Sequence, residues 1–174
     1  MNFSRKTAAV AASTIGFLAI VAGSASAGTN TVTFPVTATV NSNCSISAVG
    51  LSFGNYDPLV ANVSTALNGT TTLSVACVKG VTPTVGLNTG LNSANASGTT
   101  RAMAGSSSGT YLSYELYKDS AHTQVWGNSG TGLDTLATST NTTPVNVTVY
   151  GQIPAAQMAT LGTYNDTITA TVNF

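Results

Sequence analysis

Along most of the chain the apolar residues recur at every second position, the periodicity of a strand whose side chains point alternately to two faces. Val32, Phe34, Val36, Ala38 and Val40 alternate with Thr31, Thr33, Pro35, Thr37, Thr39 and Asn41, which gives one apolar and one polar face. The same alternation returns in Leu73, Val75 and Cys77, in Val145, Val147 and Val149, and in Ile168, Ala170, Val172 and Phe174. Residues 81–87 and 111–117 are two further strand candidates. In the latter, Tyr111 and Tyr117 fall on one face and Tyr114 on the other. Val and Thr suit a pleated, half-buried surface because both are β-branched. Turn-rich stretches such as 88–98 and 128–132 separate these segments, and short strands so spaced predict an antiparallel β-sandwich. One segment reads otherwise: Pro154 is placed to open a short helix over 154–161.

The two ends do not fit a closed sandwich. The first alternating strand contains Pro35, which lacks the N–H a central ladder needs, so it belongs at an edge or against another chain. The last strand runs to Phe174, expected to face the core, and no later segment covers its edge. Exposed ladder groups recruit other strands. A detachable apolar strand and an uncovered apolar edge are therefore complementary features.

Composition separates an address from the mature chain. Residues 1–27 read as a secretory signal peptide: Arg5 and Lys6 are followed by an apolar stretch over 8–22 and by the small residues Ala25, Ser26 and Ala27, with cleavage expected after Ala27. A transmembrane anchor is the rival reading, but the stretch is shorter than the roughly 20 residues a bilayer span needs. The remaining 147 residues carry Lys79, Arg101 and Lys118 against Asp57, Glu115, Asp119, Asp134 and Asp166, a net charge of −2. Only 6% of the full chain is charged. That excludes a nucleic-acid binder, which needs clustered cations to neutralise phosphates. Export also bears on the two cysteines, Cys44 and Cys77. In an oxidising compartment an even pair forms a disulfide, and a loop of 33 positions contributes roughly 3–4 kcal/mol in the chain-entropy model.

Catalytic chemistry is sparsely represented. His122 is the only histidine and reads as a lone surface residue rather than as the base of a triad. No clustered ligand set suggests a metal, and no cofactor is expected. Glu115 and Asp119 are four positions apart, a spacing that by itself does not support a glycosidase pair. Asp57, before Pro58, and Asp166, after Asn165, read as turn formers, and Trp126 as core. Asn-x-Ser/Thr sequons at Asn62, Asn68 and Asn146 are read as chance in an Asn- and Thr-rich chain.

The order of several segments resembles the spore coat protein U domain family, used by pilin subunits of archaic (Csu-type) chaperone–usher fimbriae. They are the Cys44 region with LSFGNYDPL (51–59), LSVACVKG (73–80), Arg101-Ala102-Met103, YLSYELYKD (111–119), Trp126-Gly127, VYGQIP (149–154) and GTYNDTITATVNF (162–174). The resemblance implies an all-β, incomplete immunoglobulin-like sandwich, with a donor strand at 28–41 and a pilin domain at 42–174. A periplasmic chaperone would fill the groove, and an outer-membrane usher would exchange the chaperone strand for the N-terminal strand of a neighbouring pilus subunit. Carried onto this sequence, the donor residues are Val32, Phe34, Val36, Ala38 and Val40, and the acceptor edge is Ile168, Ala170, Val172 and Phe174. The expected product is a surface fimbrium for adhesion and biofilm formation, with this single-domain chain in a shaft or adaptor position. The alternative is a secreted coat protein or an adhesive binding module; an enzyme is not expected.

Overall fold

The computed structural model describes residues 26–174, so the signal-peptide reading lies almost wholly outside the described residues. Residues 26–43 form no helix or strand. Residues 26–38 belong to one unit and residues 39–174 to a second, which holds the strands.

In that domain nine antiparallel strands form two sheets: β1 (Cys44–Ala48), β2 (Leu67–Cys77), β3 (Thr84–Leu87), β4 (Arg101–Gly105), β5 (Tyr111–Tyr117), β6 (Asp134–Thr135), β7 (Val145–Ile153), β8 (Tyr164–Asn165) and β9 (Ala170–Asn173). The larger sheet has the order β1-β2-β7-β5-β4-β8 and the smaller β6-β3-β9. The fold is thus an all-β sandwich, as the alternation predicts, and immunoglobulin-like, as the family resemblance implies. β2 shows why: Leu73, Val75 and Cys77 are buried while the residues between them remain half exposed. Between the sheets these three pack with Val85, Leu87, Leu112, Leu116, Val149 and Trp126. Trp126 is fully buried and its indole N–H donates to the Val85 carbonyl at 2.9 Å. Cys44 and Cys77 are register partners at the β1–β2 edge and are joined as a disulfide.

β5 is buried on both faces, from Leu112 to Leu116. Ser113 Oγ accepts from the Ser97 amide at 2.9 Å, and the Gln157 side chain bonds both the N–H and the carbonyl of Ser113 at 2.8 Å. Those bonds explain the absence of the expected helix over 154–161. The Ala156 amide donates to the Asn62 carbonyl and the Gln157 amide to the Tyr56 hydroxyl, so both N–H groups go to distant partners instead of a helical ladder. Ala156 itself sits at φ 59°. The strand expected at 81–87 begins only at Thr84, because the carbonyls of Val81 and Pro83 accept from Ser139 and Leu136 in the crossing segment.

Candidate functional site

The two sheets leave one seam open. Among the described residues β9 pairs through a single edge, with β3, from Thr84↔Asn173 to Leu87↔Ala170. β1 pairs, among the described residues, only with β2, from Cys44↔Cys77 to Ala48↔Leu73. β1 and β9 lie side by side with no ladder joining them. At this seam opens an apolar groove of about 450 Å³, lined by Leu73, Leu87, Met103, Leu116 and Val149 between walls formed by 48–53 and 164–170. Gly151 of β7 makes room for one wall: a Cβ there would come within 2.6 Å of Leu51 and 2.8 Å of Phe53. The arrangement suits an extended apolar segment, whose backbone would find unpaired ladder groups on β9 and whose alternate side chains would find the groove.

The groove has one polar corner. Asp166 accepts from the Tyr114 hydroxyl at 2.7 Å through one oxygen, and from the Leu91 amide at 2.9 Å and the Asn92 side chain at 3.1 Å through the other. It therefore fastens the loop after β3 to β5, a larger task than the turn expected of it. Gly90 permits this approach, being at φ +78° with room for no Cβ: one there would lie 2.0 Å from the carboxylate. Burial first, and the bond to Asp166 second, push the Tyr114 hydroxyl well above the usual tyrosine range. Asp57 does form a turn, accepting from the amides of Leu59 and Val60. Asn62 is buried, with its side chain bonded to the Asp57 amide and the Thr65 carbonyl, so that sequon presents no free amide.

The expected acceptor residues divide. Ile168 and Ala170 line the groove, and Val172 is half-buried against the core. Phe174 does not face the core: it lies one residue past the last ladder pair and is 56% exposed. Ile168 precedes β9 instead of belonging to it. In the N-terminal unit and just beyond it, Val32, Phe34, Val36 and Val40 are 75–86% exposed and Ala38 is exposed as well.

Glu115, Asp119 and His122, the groups weighed for catalysis, each have partners within the fold. Arg101 and Glu115 form a buried ion pair. Arg101 also donates to the carbonyls of Leu87, Asn88 and Trp126, while Glu115 accepts from the Thr100 and Leu116 amides. Asp119 is taken up by its own loop: the Thr123 hydroxyl, then the Gln124 and Thr123 amides, hold its carboxyl below the ordinary range. His122 is half-buried instead of free on the surface, edge-on to Tyr117 at 5.1 Å and Tyr150 at 6.4 Å. The sequence reading missed the role of Arg101; its signal was a cation inside an apolar strand of a nearly uncharged chain.

An open antiparallel sandwich with a strand-sized apolar seam is the class of protein these features define. Residues 30–171 match the family model of the Spore Coat Protein U domain. The chain is 42% identical over 176 residues to "Protein U" of Myxococcus xanthus, covering 95% of this chain and 97% of that protein. It belongs to the Spore Coat Protein U domain family. Among solved structures it is similar to the CsuC–CsuE chaperone–tip adhesion subunit pre-assembly complex from the archaic chaperone–usher Csu pili of Acinetobacter baumannii, with a TM-score of 0.56 and 26% identity. That match covers 78% of this chain and 41% of the other.

Proposed function

We propose that this protein is an exported fimbrial subunit that polymerises by donor-strand exchange, with residues 28–41 of one copy entering the groove of the next. The observation that carries the reading is the coexistence of an unpaired β9 edge beside an apolar groove with an alternating apolar segment in the same chain. Val32, Phe34, Val36, Ala38 and Val40 are the donor residues; Ile168 just before β9, Ala170 and Val172 on it, and the exposed Phe174 after it are the acceptor. Burying the four large donor side chains contributes about 5–12 kcal/mol, an upper estimate because a free strand already hides some area. Each link is head-to-tail and so grows an open fibre. The similarity to a chaperone–subunit complex supports a periplasmic chaperone as the first occupant of the groove, with an outer-membrane usher catalysing the exchange and the fibre serving adhesion and biofilm formation.

Phe34→Asp or Val36→Asp places a charge in a dry groove, and charge burial without a partner is strongly unfavourable. Fibres counted by electron microscopy are expected to be lost while the domain stays folded; wild-type yield from both variants would sink the reading. A second reading, a coat protein assembled through the same seam, is favoured by the match to the Spore Coat Protein U domain model. Assembly that persists when the chaperone and usher are removed would select it.

A further inference from the structure

Two loops at one end of the domain expose large apolar side chains: Leu59 at 85%, Val60 at 76%, Met158 at 99% and Leu161 at 97%. The loops are one surface, because the Ala156 amide donates to the Asn62 carbonyl and Tyr56 bonds both Pro154 and Gln157. Asp57 is the single charged residue within 57–63 and 154–162. Apolar tips grouped in this way mark an interaction surface.

The direction of the strands identifies what covers them, given the donor-strand reading on which this inference rests. β9 ends at Asn173 opposite Thr84, on the side of the Cys44–Cys77 disulfide, and starts at Ala170 on the side of Tyr164, whose hydroxyl donates to Thr160 in the loop tip. Every strand pair in the domain is antiparallel. A donor paired antiparallel to β9 therefore enters at the disulfide end and leaves at the loop tip. Only Asn41, Ser42 and Asn43 then separate Val40 from Cys44, where the donor's own β1 begins. Four extended Cα steps reach at most about 14 Å. The disulfide end of the donating copy is thus held against the loop tip of the accepting copy. At that disulfide end a hollow of about 150 Å³ opens between Asn43, Ser45, Val78 and Thr142.

We propose that successive copies make this second contact: the loop tip carrying Leu59, Val60, Met158 and Leu161 packs on the disulfide end of the next copy, with an apolar side chain in the hollow beside Thr142. The contact stiffens a fibre whose links would otherwise pivot on three residues.

The test is Leu161→Cys combined with Thr142→Cys in the full-length chain, assembled into fibres and oxidised. A ladder of covalent oligomers on a non-reducing gel, absent from either single variant, is the expected result; fibres without a ladder would overturn the contact and leave strand exchange intact. As a readout without new thiols, Met158→Asp with Leu161→Asp should leave the subunit's circular dichroism unchanged and make sheared fibres several-fold shorter. Unchanged fibre length would overturn the contact too. Failure of the unaltered chain to form fibres would overturn strand exchange and this contact with it.

Discussion

Arg101 and Glu115 show how so few charges are used. Arg101 is fully buried and Glu115 3% exposed, and their partners join β4 and β5 to the end of β3 and to Trp126, so the pair ties one sheet to the other. Removing one member of a buried pair strands the other charge and costs about 3–5 kcal/mol. Glu115→Ala is therefore expected to lower the urea midpoint steeply, with Glu115→Gln intermediate because it keeps acceptors for Thr100; equal midpoints for all three proteins would refute the tie. Tyr114 makes a pH-dependent contribution. Its folded-state pKa is raised, by burial and by Asp166, above an unfolded value of about 10. Below that pH both states hold the proton and stability is complete. Above it the unfolded chain releases a proton the folded chain retains, so stability falls as pH rises. Unfolding midpoints at about pH 9 and 11 should diverge more for the wild type than for Tyr114→Phe; a residual slope is expected from Tyr117, which burial also raises. Equal slopes would refute the assignment. Trp126 and Asp57 were legible at this scale because composition or a local turn explains them. Asp166 was not, since its partners lie 52 to 75 positions away in the chain.

Strands were legible where alternation is long. The parts of β2 and β7 carrying Leu73, Val75, Val147 and Val149 follow the period-two pattern directly, whereas β5 was legible as an aromatic- and leucine-rich run and is buried on both faces. β6 and β8 have two residues each, too few for any period to register. The first half of β2, Leu67 to Thr72, was also unread: its polar Asn, Gly and Thr residues pair with β7 but bury little. The helix expected after Pro154 failed because the proline signal is local, whereas Tyr56, Asn62 and Ser113 capture that segment from elsewhere in the chain. β1 and β9 carry the proposed assembly, and both are short edges whose free sides are defined by what they do not pair with among the described residues. Sequence pattern pointed to Ile168, Ala170 and Val172 as an apolar face. It gave no sign that Leu51 and Phe53 on the opposing wall, or Met103 between the walls, face the same groove.

At the scale of the molecule, the alternating segment 32–40 and the groove are the two halves of one reading. If the domain lacks a strand, supplying it in the same chain must satisfy the groove and end polymerisation. β9 finishes on the side of the disulfide, so an added strand can follow Phe174 through a two-residue Asn-Gly hairpin turn and run antiparallel to β9 along the seam. The variant to make is residues 42–174, then the turn, then a copy of residues 28–41. A net gain of about 5 kcal/mol from the buried donor side chains, at about 2–4 °C per kcal/mol for a domain of this size, predicts a thermal midpoint about 10–20 °C above that of residues 42–174 alone. The variant should remain monomeric at concentrations where the full chain forms fibres, because its groove is filled and it has no free donor. Substituting Phe34 by Asp in the appended copy should abolish the thermal gain. If the midpoint of the joined variant matches that of the truncated domain, the groove is not the vacancy of a missing strand, and donor-strand assembly fails with it.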